Sequence, residues 1–120
     1  MHDHRKLRVW QAARQLAIDV FQLSESFPSS ERFGITAQIR RSAVSIPSNI
    51  AEGAGRDGAA FRQFLSYAAG SASELDTQLD IARQLDLAES AIIEAALRDV
   101  DTVRRMLWGL MDRESQGRNT

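Results

Sequence analysis

The sequence predicts an all-α protein, a single-domain antiparallel four-helix bundle with up-down-up-down topology. Three observations predict it. Apolar residues return at three- and four-residue steps in four successive stretches, no stretch sustains the apolar/polar alternation of a strand, and the links between stretches are short. With 120 residues, 43% hydrophobic and 26% charged, the chain has the length and composition to enclose one core and not two, so one domain over 1–120 is expected.

The first helix is expected over about 5–27, where Leu7, Trp10, Ala13, Leu16, Ala17, Val20 and Phe21 form one stripe. Pro28 followed by Ser29 and Ser30 ends it, because the residue before a proline is pushed out of the α region. The second helix is expected over about 31–55. Ile35, Ile39, Ala43, Ile46 and Ile50 make its apolar stripe, and Arg41, Ser45, Ser48 and Glu52 repeat on the opposite side. Pro47 lies inside this helix and removes one backbone hydrogen bond. The isoleucine stripe keeps its phase across it, so a kink is expected and not a break.

The third helix, about 59–85, has the most regular pattern, with Phe61, Leu65, Ala68, Ala72, Leu75, Leu79 and Ala82 at alternating steps of four and three. A period of 3.5 implies left-handed, near-antiparallel packing. Six small residues, Ala68 to Ser73, predict a close helix crossing within the bundle or between subunits. The fourth helix, about 87–113, is expected to open on a capping box of Asp86 and Glu89, and it buries Ile93, Ala96, Val100, Val103, Leu107 and Leu110. Residues 115–120 are polar and read as a frayed tail.

The chain has no cysteine, which excludes disulfides and thiolate metal sites and fits a reducing compartment. Neither a secretory leader nor a run of about 18 apolar residues occurs, so a cytoplasmic protein without a membrane span is expected. The net charge of −1 provides no global attraction for nucleic acid, but it is unevenly spread. Through Arg62 there are nine basic and six acidic residues (+3), and from Gln63 onward six basic and ten acidic (−4).

Sites for catalysis are not evident. A di-iron bundle needs Glu-x-x-His motifs, and no histidine follows His4. His2-Asp3-His4 reads as solvated, so no metal or other cofactor is expected. With no cysteine and no core histidine there is nothing to activate a nucleophile. The glycines at 53, 55 and 58 follow a helix and lack the Gly-Lys-Ser/Thr of a phosphate loop. Glu52 and Glu74 are the acids with the most apolar neighbours, and both read as partners for an arginine or a helix end. The expectation is a non-enzyme with no small-molecule substrate.

Polar groups beside the core stripes point instead to association. Arg40, Arg41, Ser45, Asn49, Glu52 and Arg56 belong to the second helix, and Ser71, Glu74 and Gln78 to a flank of the third. Bidentate pairing of Arg41 or Arg56 with Glu52 or Glu74 would satisfy them, either inside one subunit or between two. A contact of the basic half with a neighbour's acidic half would be heterologous and would close into a ring. The alternative is a nucleic-acid-binding module, in which assembly gathers Arg5, Lys6, Arg8 and Arg62 with Arg40, Arg41 and Arg56 into one basic surface.

The run Gln38-Ile39-Arg40-Arg41-Ser42-Ala43-Val44-Ser45-Ile46-Pro47-Ser48-Asn49-Ile50-Ala51-Glu52-Gly53 carries a family resemblance. So do Arg56, Phe64-Leu65, Gly70-Ser71 and Glu74-Leu75. Together they resemble the bacterial four-helix-bundle proteins encoded in intervening sequences of 23S ribosomal RNA genes, relatives of the accessory variability determinant (Avd-like) proteins of diversity-generating retroelements. Leu7-Arg8-Val9-Trp10-Gln11 and Arg105-Met106-Leu107-Trp108-Gly109-Leu110 extend the similarity along nearly the whole chain. The resemblance implies a homopentameric ring, with RNA or a ribonucleoprotein such as a reverse-transcriptase complex as partner. The chain departs from it in lacking the strongly basic character of the retroelement proteins, and in having Leu85-Asp86-Leu87 where the family usually has a Gly-Tyr pair.

Overall fold

The computed structural model describes residues 1–118, with side chains through Ser115. Four helices follow one another: α1 (Arg8–Ser24), α2 (Ile35–Ala54), α3 (Gly58–Gln84) and α4 (Ser90–Arg118), with short 3-10 turns at His4–Lys6 and Ser29–Glu31. Among the described residues there is no strand. Each helix packs on its neighbours in chain order and α4 closes back on α1, so the four make an antiparallel bundle measuring 51 × 21 × 20 Å.

The predicted stripes form the core. Ile39, Ala43, Ile46 and Ile50 of α2, all seven predicted α3 positions, and Ile93, Val100 and Leu107 of α4 are fully buried, as are Ala13 and Val20 of α1. Phe21, at the edge of the first stripe, is 40% exposed. Val9, Leu23, Phe27, Ala54, Ala69 and Met111 join the core without being part of the predicted stripes. Pro47 sits inside α2 without breaking it. The side chains of Ser48 and Asn49 bond the carbonyls of Val44 and Ser45 just beyond the site of the missing N–H, at 2.8 Å each.

Local chemistry sets ends that periodicity does not show. α1 is shorter than the expected 5–27. Asp3 accepts the Arg5 N–H at 3.1 Å to start a 3-10 turn, and extended Leu7 separates that turn from the helix. At the other end the Ser24 and Ser26 hydroxyls donate to the carbonyls of Phe21 and Leu23, closing the helix before Phe27 and Pro28. α2 begins at Ile35 and not near Glu31, because a second 3-10 turn and Gly34 intervene.

The capping box at Asp86 does not form. Asp86 adopts φ 54° and terminates α3: its N–H bonds the Arg83 carbonyl, and the Leu87 N–H reaches the Ala82 carbonyl at 3.1 Å. This is the Schellman pattern with an aspartate in the left-handed position that glycine usually takes. The start of α4 therefore shifts to Ser90, where the Glu89 carbonyl accepts from Ile92 and Ile93. α4 continues through 115–118, within the segment expected to fray; residues 119 and 120 lie outside the described residues.

At Gly53 α2 lies directly against α3. A Cβ there would lie 2.6 Å from Phe64 Cβ, so only glycine lets the end of α2 rest on the start of α3. Gly70, inside the small-residue run where close approach was expected, has open space beside it. At the same pole of the bundle the first residues fold back: the His2 N–H donates to the Ala54 carbonyl at 2.7 Å and its ring lies 4.9 Å from that of Phe61.

Candidate functional site

Residues 38, 41, 42 and 45 fall on one flank of α2, and 71, 74 and 78 on the facing flank of α3, as the spacing of three and four requires. Between these flanks runs a polar groove of about 410 Å³, lined by Gln38, Arg41, Ser42, Ser45, Ser71, Glu74 and Gln78. Ser45 Oγ and Ser71 Oγ lie 2.6 Å apart and bridge the two helices. Asn49 Nδ2 donates to both the carbonyl and the hydroxyl of Ser45, at 2.8 and 3.2 Å, and so orients it.

Two charges of opposite sign line this groove without neutralising each other. Arg41 and Glu74 are both exposed, and neither has an ion-pair partner among the described residues. The Gln78 Oε1 is buried and accepts no hydrogen bond among the described residues. A buried acceptor left unmade costs about 1–3 kcal/mol, and this one is closed to anything that enters the groove.

The other members of the predicted cluster are satisfied inside the chain. Arg40 does not line the groove. Its Nε donates to Ser24 Oγ at 2.8 Å, its Nη2 to the Phe21 carbonyl at 3.4 Å, and its guanidinium lies 4.9 Å from the Phe21 ring centre. It thus places a cation at the carbonyl end of α1, where the helix dipole favours one. Arg56 pairs with Glu52 one turn earlier and covers the Phe64 ring at 5.0 Å. Sequence spacing put these groups on two neighbouring helices, but only Arg41, Ser45, Ser71 and Glu74, with Gln78, converge.

The four basic residues of the alternative reading are not brought together within a chain. Arg5 covers the Trp10 ring at 5.4 Å. Arg62 belongs to α3 and has a buried Nε without a partner among the described residues. Lys6 and Arg8 line a second groove of about 520 Å³ between the start of α1 and the end of α4, which they share with Arg105 and Arg113. Those two arginines lie about a hundred positions away in sequence, so no local pattern could have joined them to Lys6 and Arg8. At the N-terminus His4 meets the Trp10 ring edge-on and His2 lies 3.3 Å from Glu114. No group of three or more metal-ligating side chains occurs among the described residues, nor is any helix there long and apolar enough to cross a membrane.

Residues 5–109 match the family model described as 23S rRNA-intervening sequence protein. The fold is also that of a solved structure, the crystal structure of a protein with unknown function from the S23 ribosomal protein family of Bacteroides thetaiotaomicron VPI-5482. The TM-score is 0.80 over 86% of this chain and 97% of that one, at 22% sequence identity. No curated protein matches.

Proposed function

This chain belongs to the 23S rRNA-intervening sequence protein family, and from that premise we propose that it acts without catalysis, as a cytoplasmic interaction protein whose copies assemble into a homopentameric ring that scaffolds a partner. One observation carries the reading. Arg41 and Glu74 are exposed on the α2–α3 groove and unpaired among the described residues. A neighbouring copy that brings a carboxylate to Arg41 and a cation to Glu74 satisfies both at once. The apolar share of such a contact is at hand, since Val44, one turn from Arg41, is exposed and lines a shallow groove with Phe21, Ile18 and Pro47. Contacts between unlike patches close into a ring when the rotation allows, and the ring of five follows the family resemblance.

The test is the mass in solution of Arg41→Ala and Glu74→Ala by light scattering, with circular dichroism as the fold control. Both variants are expected to lose mass toward the 13.4 kDa monomer while keeping wild-type helicity. Wild-type mass in both variants defeats the reading. Native mass spectra before and after nuclease treatment then report whether the scaffolded partner is RNA.

A further inference from the structure

The second groove, at the opposite side of α1 from α2, is chemically unlike the first. Its rim carries Lys6, Arg8, Arg105 and Arg113, and none of its lining residues is acidic. Arg105 is paired with Asp101 at 2.8 Å, whereas Lys6, Arg8 and Arg113 have no ion-pair partner among the described residues. The floor between these cations is aliphatic, formed by Leu7, Met106 and Leu110.

A glycine in the floor is the independent observation. Gly109 lies within α4, where glycine costs roughly 0.5–1 kcal/mol relative to alanine. Packing within the chain does not require it: a Cβ added there would meet only the end of the Arg113 side chain, at an ordinary 3.6 Å. It contrasts with Gly53, which α3 demands. What Gly109 provides is bare backbone in the floor of a cationic groove, the arrangement that lets another chain approach closely.

We propose that this groove docks a segment of a different protein that combines carboxylates with large aliphatic side chains. The carboxylates meet Lys6, Arg8 and Arg113 at the rim, and an aliphatic side chain enters over Gly109 against Leu7 and Met106. The rim cations could meet phosphates as well as carboxylates, but the lining contains no aromatic ring on which a base could stack and leaves an aliphatic floor that a nucleic acid would not fill. The proposal is independent of self-assembly, which uses the other side of the molecule.

The experiment is fluorescence anisotropy of the full chain with three labelled probes of equal length: a peptide alternating Glu and Leu, polyglutamate, and single-stranded RNA. The Glu-Leu peptide is expected to bind at least ten-fold more tightly than either other probe. Lys6→Glu combined with Arg8→Glu should weaken it at least ten-fold, and so should Gly109→Leu, which fills the floor and leaves every charge in place. Gly109→Ala, which favours the helix, is the control for folding and should weaken binding less than Gly109→Leu. Equal or tighter binding of polyglutamate shows a surface that reads charge alone, and tighter binding of RNA shows a nucleic-acid surface; either result overturns the proposal. So does Glu-Leu binding that survives Gly109→Leu in a protein of wild-type helicity.

Discussion

Ser45 and Ser71 meet hydroxyl to hydroxyl at 2.6 Å, so the two helices that flank the polar groove are joined through its own lining. Small side chains at both positions let the helices come this close, and Asn49 adds a third member to the network by donating to the Ser45 hydroxyl. Removing Ser45 takes away the partner of Ser71, and removing Ser71 leaves the Ser45 hydroxyl only the bond from Asn49.

Ser45→Ala and Ser71→Ala should therefore each cost about 1 kcal/mol of stability, and the double variant less than their sum, since a single bond is lost. Urea denaturation of the two singles and the double gives the coupling. Strictly additive losses would mean that the hydroxyls do not interact.

Gly53→Ala tests the close contact of α2 with α3. The new methyl would stand 2.6 Å from Phe64 Cβ, an atom fixed to the α3 backbone, so the helices must separate. A loss of about 1–3 kcal/mol, read as a lower urea midpoint, is expected from overpacking of this kind. Alanine ordinarily favours a helix over glycine, so a gain in stability would contradict the geometry.

Asp86→Gly should act in the opposite direction. The aspartate holds φ 54° at the end of α3, a conformation that costs an L-residue about 1–2 kcal/mol and glycine almost nothing. Allowing for glycine's greater freedom in the unfolded chain, a net gain of about 0.5–1 kcal/mol is expected in thermal melts. Asp86→Val, branched and without a polar group to bond the backbone, should lose at least about 1 kcal/mol.

Adjacent arginines should separate by phenotype. Arg40→Ala removes the donor to Ser24 and the cation over the last turn of α1, at a cost of about 1 kcal/mol, and should leave the solution mass unchanged. Arg41→Ala should do the reverse. Parallel melts and light scattering on the two variants decide it.

The core was legible in the sequence because burial in a bundle follows one rule, the return of apolar residues along each rod. Every predicted position of α3 is fully buried for that reason. The ends were less legible because single hydrogen bonds decide them. Asp86 and Glu89 have the spacing of a capping box, and the Schellman turn of α3 took Asp86 first. Much the same holds for the site. Spacing placed Arg40 and Arg41 on one helix, but consecutive residues lie about 100° apart around a helix axis, so one reaches α1 and the other the α3 groove. The second groove was illegible, since Arg105 and Arg113 meet Lys6 and Arg8 only after α4 has closed on α1.

α1 is the shortest of the four rods, with 17 residues against 20, 27 and 29. Yet it is clasped at both ends, by the Arg40 side chain on the Phe21 carbonyl and the Ser24 hydroxyl and, just ahead of its start, by residue 2 pinned to the carbonyl of Ala54. Because the clasps attach to opposite ends of α2, α1 cannot peel away from one side without first releasing a fastening on the same helix. Detaching α1 therefore means breaking polar fastenings near both ends of α2 as well as the apolar contact between them.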